Sequence, residues 1–171
     1  IDIGTEKVCT VIASKSPQTG ELQVVGIHSV PSKGIRKSQI VDLEDASESI
    51  TKSLDGAERM AGFGVSSAYI SISGTHIGSQ NSKGVVAVAN PEGEITQMDV
   101  ERVIEAAKAI SLPNAREIVH VIPRQFQVDS QDVIKDPVGM SGIRLESEAH
   151  IVTASSTALR NLSKCLQDVG I

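Results

Sequence analysis

Ile1-Asp2-Ile3-Gly4-Thr5-Glu6-Lys7-Val8 is the stretch whose reading decides the fold. It reads as a short apolar strand that enters a tight glycine turn and resumes as Val8-Cys9-Thr10-Val11-Ile12-Ala13. Gly4 has no Cβ to keep a ligand off the backbone and is free to adopt positive φ. Thr5 offers a hydroxyl, and successive amides from Gly4 to Lys7 suit the kind of concavity that holds phosphate oxygens. Lys7 supplies a point charge for a phosphate. Asp2, just ahead of the turn, is placed to orient a hydrated Mg²⁺ rather than to touch phosphate, because two anions in contact repel. The same residues also read as an ordinary β-hairpin with Gly4-Thr5 at the turn and Lys7 in solvent. D-x-G-T is too short to decide between the two.

The chain has 171 residues and a net charge of −5, the size of one or two domains and enough to bury a core. With one Tyr, two Phe and no Trp, it lacks the aromatic platforms on which single-stranded nucleic acids stack. Its acidic balance also argues against a nucleic-acid partner. No apolar run reaches the roughly 18 residues of a membrane span, and no signal peptide is visible. Cys9 and Cys165 sit in apolar patterns far apart, which suits buried free thiols in a reducing cytosol. His28, His76, His120 and His150 are scattered singly, without metal-ligand spacing. The chain starts inside a strand and stops just past a helix, so a fragment of a longer protein is expected.

Outward from the opening turn, residues 22–30 read as a further strand of a meander, ended by Pro31-Ser32-Lys33-Gly34. Leu43, Ala46, Ile50, Leu54, Ala57 and Ala61 make one apolar stripe of a helix over about 42–62, with Gly62 and Gly64 as stops. Residues 65–73 alternate as a strand, which completes the pattern of a mixed sheet with a crossover helix. A second unit follows, over about 76–147. It has a Val-rich strand at 84–89 ending at Asn90-Pro91, then a helix opened by Thr96 with Asp99 three residues on and closed by Pro113. Strands are expected at 117–122 and 125–128, then a turn-rich loop at 136–142 and a strand from about 143. Residues 148–171 resume the earlier style, with a strand at 150–154. Ser155 or Ser156 then caps a helix turning Ala158, Leu162, Cys165, Leu166 and Val169 inward.

Several of these blocks, in order and at matching spacing, resemble one family. They are the opening D-I-G-T-x-K-V, Val30 to Gly34, Val41 to Glu44, Ala57 to Gly62, Ser71 to Ile77 and His120 to Pro123. The longest is Ile134 to Leu145. The resemblance is to the bacterial cell-division protein family FtsA, and it runs essentially from Ile1 to Ile171. It implies an α/β fold with mixed sheets: part of an actin/Hsp70-type ATPase (ribonuclease H-like) subdomain carrying an inserted strand-helix-strand-strand (SHS2) subdomain. Residues 1–75 are then the first part of actin-like subdomain 1A, residues 76–147 the insert called 1C, and residues 148–171 the continuation of 1A.

The resemblance also implies an ATP-binding protein that polymerises and tethers FtsZ to the cytoplasmic membrane at the septum, with weak or no ATPase activity. Its cofactors are ATP and Mg²⁺, bound by Asp2 (through water on Mg²⁺), Gly4, Thr5 and Lys7. The insert is expected to serve self-association into filaments and recruitment of later divisome proteins. FtsZ binding, membrane attachment through a C-terminal helix, the second phosphate loop and the adenosine motif are all expected beyond Ile171. These residues alone are therefore expected to bind ATP weakly or not at all. A related actin-like protein of pilus assembly, of the PilM type, is the alternative. A sugar kinase opens with a similar D-x-G-T, but no catalytic Asp with sugar-binding residues is evident. Gly139-x-x-Gly142 reads as a structural loop, Glu101, Arg102, Glu105 and Lys108 as solvated helix surface, and Ser155-Ser156-Thr157 as a capping cluster.

Overall fold

The computed structural model describes residues 1–90, 92–129 and 131–171, and for Asp132 only the backbone. The expected strand stop at Asn90-Pro91 thus falls partly outside the described residues. The chain divides into two compact units: Ile1–His76 with Ser156–Ile171, and Ile77–Ser155.

In the first unit, β1 (Asp2–Ile3), β2 (Lys7–Lys15) and β3 (Leu22–Pro31) form an antiparallel sheet in that order. β4 (Ile35–Arg36) and β5 (Gln39–Ile40) make a small hairpin that was not expected. Its two-residue turn, Lys37-Ser38, has φ of 48° and 57° without the glycine or asparagine by which such a turn is recognised in sequence. α1 (Leu43–Ala61) follows, capped by the Asp42 carboxylate, which accepts from the Asp45 amide at 3.0 Å. It stops at Gly62, whose φ of 83° is left-handed. Ala46, Ile50, Leu54 and Ala57 are buried as the periodicity predicts, and Ser49 and Ser53 are buried with them. Full burial of Ile50 and Leu54 contributes roughly 1.5–3 kcal/mol each.

α1 packs this closely because Gly26 of β3 lies under it. A Cβ at Gly26 would sit 2.2 Å from the Ala57 carbonyl oxygen. α3 (Ser156–Val169) completes the unit, with Cys165 buried in a core of Ile3, Val8, Ile35, Ala46 and Ile50. Cys9 is only half-buried.

Residues 65–73 do not form the expected strand. Their one ladder contact is the parallel bridge between Ser71 and Asp2. A parallel strand extends only as far as its partner, and β1 offers two residues.

In the second unit β6 (Ile77–Ala87), α2 (Gln97–Lys108), β7 (Arg116–Val128), β8 (Gln131–Ile134) and β9 (Arg144–Ser155) form a sheet of order β6-β9-β7-β8 with α2 packed on it. Ile95, Val100, Val103, Phe126, Val128 and Leu145 are its core. Three expectations are corrected here. The strands at 117–122 and 125–128 are one strand, since Pro123 sits at a register shift that spares its missing N–H. β6 starts at Ile77, well before the Val-rich run, because pairing with β9 along its whole length orders the polar residues 78–83. The strand at 150–154 belongs to β9, one of the two inner strands of this sheet, so the second unit ends at Ser155 and not at 147. α2 closes at Lys108, ahead of Pro113.

Candidate functional site

The opening turn connects β1 to β2. Its internal bond runs from the Gly4 amide to the Lys7 carbonyl at 3.0 Å, and a Cβ on Gly4 would meet that carbonyl at 3.1 Å. Glycine is favoured here by close approach rather than by positive φ, since Gly4 is outside the left-handed set. The Gly4 amide is therefore committed to the turn. The Thr5 and Glu6 amides make no hydrogen bond among the described residues and are the ones open to an anion.

Thr5 reaches to the hairpin turn, where its Oγ1 accepts the Ser38 amide at 2.9 Å. Because the hydroxyl accepts that bond, its own proton stays available to an oxygen acceptor. Asp2 is exposed, and its Oδ1 accepts the Ser71 hydroxyl at 2.8 Å, leaving Oδ2 without a protein donor among the described residues. Lys7 is exposed and has no ion-pair partner among the described residues.

Asp2 and Lys7 line one open concavity of about 440 Å³, together with Ile1, Cys9, Val11, Tyr69, Ile70 and Ser71. Gly4 and Thr5 do not line it. The structure thus brings two of the four expected residues to one wall and turns Thr5 toward the β4–β5 turn. At the concavity, a carboxylate with one free oxygen and an ammonium suit a hydrated Mg²⁺ with phosphate, while the Thr5 hydroxyl proton and the Thr5 and Glu6 amides belong to the adjoining turn and do not line it. Among the described residues there is no cluster of His, Cys, Asp or Glu able to hold a metal by direct ligation alone. Ser71 and Ser38 are the residues sequence reasoning did not place at the site. Nothing in their local pattern says that the chain folds them onto Asp2 and Thr5.

Chemistry in the second unit is structural. Asp99 at the start of α2 accepts the Thr96 amide (3.0 Å) and hydroxyl (2.7 Å), the Ala89 amide (3.2 Å) and Arg102 (2.9 Å). The Thr96 bonds hold its carboxyl below the usual carboxylate value against the opposing effect of burial. His120 lies on β7 in a shallow groove with Ile104, Lys108 and Ile118. His150 Nδ1 pairs with the Asn81 side-chain oxygen at 2.8 Å, a surface contact.

The family model described as "SHS2 domain inserted in FTSA" matches residues 74–153. In the solved "PilM-PilN type IV pilus biogenesis complex", one chain superposes with a TM-score of 0.62 at 14% identity, covering 99% of this chain and 44% of that one. The two units are thus part of an actin-like fold that carries an SHS2 module. Relatives named "Cell division protein FtsA" match the chain from end to end. That of Borreliella burgdorferi is 46% identical over 170 residues, covering 99% of this chain and 41% of its own length. Those of Bacillus subtilis and Pseudomonas aeruginosa are 42% and 38% identical over 171 residues. The chain is thus similar along its whole length to FtsA cell division proteins, and it spans about two-fifths of the length of these relatives.

Proposed function

We propose that this chain carries one wall of a Mg²⁺·ATP site in an actin-like adaptor of cell division. The observation that carries the reading is the shared concavity of Asp2 and Lys7 beside the D-I-G-T turn. Asp2 would hold Mg²⁺ through bound water, and Lys7, the Thr5 hydroxyl and the Thr5 and Glu6 amides would hold phosphate oxygens. The bound metal would neutralise phosphate charge. An actin-type nucleotide site closes between two lobes, so residues 1–171 alone should bind ATP weakly or not at all. In this reading nucleotide acts as a conformational ligand of a protein that polymerises and tethers FtsZ to the cytoplasmic face of the membrane at the septum. FtsZ and the membrane engage parts of the protein outside these residues.

The SHS2 module is assigned self-association and recruitment of later division proteins. In support, the sheet face away from α2 is polar, with Asn81, Arg124 and Gln125 gathered on Glu148 within 3.2 to 3.4 Å. A pilus-assembly role stands second, because the likeness to the pilus protein is one of fold alone.

Calorimetric titration of the intact protein tests the site. Mg²⁺·ATP should bind, and Lys7→Ala or Asp2→Asn should weaken binding about tenfold or more. Full affinity in both variants would overturn the assignment. For the module, substitutions across its exposed faces should impair self-association without unfolding the chain. Unchanged association would count against that role.

A further inference from the structure

The Ser71–Asp2 pair goes beyond the residues the site reading names, although it rests on that reading. Ser71 was expected inside a strand and instead touches the ladder at one point, the parallel bridge to Asp2. There its amide donates to the Ile1 carbonyl at 2.9 Å. Backbone pairing thus fixes the two Cα positions side by side, and the Ser71 hydroxyl donates to Asp2 Oδ1 at 2.8 Å. The Ile1 backbone nitrogen donates to the Tyr69 carbonyl at 2.7 Å, so the short segment is held at both ends of the bridge.

We infer that Ser71 is a positioning residue for the Asp2 carboxylate. An aspartate orienting metal-bound water needs one oxygen held and the other presented, and its χ2 torsion is otherwise broad and roughly two-fold. The Ser71 hydroxyl holds Oδ1 and leaves Oδ2 to the water. Outer partners of this kind set how well a carboxylate serves a metal without touching the metal themselves. Ser71 also lines the concavity that Asp2 and Lys7 line.

The experiment is a calorimetric titration of ATP into the intact protein across a series of Mg²⁺ concentrations and again in EDTA, with wild type, Ser71→Ala, Ser71→Thr and Asp2→Asn. Ser71→Ala should raise the Mg²⁺ midpoint for nucleotide binding about three- to tenfold and leave the affinity in EDTA unchanged. Ser71→Thr keeps the hydroxyl and should return the midpoint to within about twofold of wild type. In an Asp2→Asn background, Ser71→Ala should add nothing to the shift. An unchanged midpoint in Ser71→Ala would overturn the inference while leaving the nucleotide site standing. Equal losses in Mg²⁺ and in EDTA would overturn it too, by marking the residue as structural. Absence of any Mg²⁺ dependence in wild type would overturn the site reading itself, and the role of Ser71 with it.

Discussion

The Ser38 amide donates to the Thr5 hydroxyl at 2.9 Å, so the phosphate-loop candidate and the β4–β5 turn are one structural unit. That turn places two non-glycine residues at positive φ, 48° at Lys37 and 57° at Ser38. Each left-handed residue with a Cβ costs on the order of 1 kcal/mol. Gly74, at φ 119°, packs under the turn, where a Cβ would lie 2.9 Å from the Ser38 Cβ.

Replacing Ser38 with glycine should therefore stabilise the first unit by about 0.5–1 kcal/mol, since the amide that bonds Thr5 is kept and the strain is relieved. Thr5→Val removes the acceptor and should cost roughly 0.5–1.5 kcal/mol. Urea denaturation reads both. A Ser38→Gly variant less stable than wild type would show that the turn is not strained.

Two glycines set the helix-to-sheet distance, one in each unit. A Cβ at Gly84 would lie 2.1 Å from the Val103 carbonyl oxygen of α2, as the one at Gly26 would meet Ala57 of α1. Since the obstacle is backbone, neither contact yields by a rotamer change. Gly26→Ala and Gly84→Ala should each destabilise their own unit by about 1–3 kcal/mol or more. Hydrogen exchange should localise each loss to the unit that carries it. Wild-type protection in both variants would mean the helices shift at little cost.

Asp99 makes the stability of the second unit depend on acid. Its folded pKa is depressed below the ordinary 3.8, so its contribution is present above that value and is lost as pH falls through the folded pKa. Asp99→Asn should cost about 1–3 kcal/mol at neutral pH, with the gap to wild type closing below about pH 3.8. A gap that stays constant down to about pH 2 would show that shape, not charge, is what the residue supplies.

Inside the first unit, Thr10 and Ser53 share a buried hydrogen bond at 2.9 Å, and Ser53 also donates to the His28 carbonyl at 3.1 Å. Ser53→Ala strands the Thr10 hydroxyl and should cost about 1–2 kcal/mol. Combining it with Thr10→Val should recover part of that loss in a double-mutant cycle. Strict additivity would argue that the two hydroxyls do not interact in solution.

Periodicity and punctuation fixed the local elements. The stripe from Ala46 to Ala57 became the buried face of α1, Gly62 became its left-handed stop, and Thr96 with Asp99 opened α2. Those signals lie within a few residues of one another, so local physics suffices to read them. The order of blocks along the chain carried the family. The resemblance singled out Asp2, Gly4, Thr5 and Lys7 as the candidate site. Tertiary structure decided that Asp2 and Lys7 share one concavity while Thr5 serves the Lys37-Ser38 turn. It also decided that β9 is an inner strand of the second sheet and carries that unit to Ser155, and that residues 65–73 touch the sheet only at Ser71. A strand's length and allegiance are set by partners dozens of residues away, and hydrogen bonds such as Ser71 to Asp2 exist only once those partners have met.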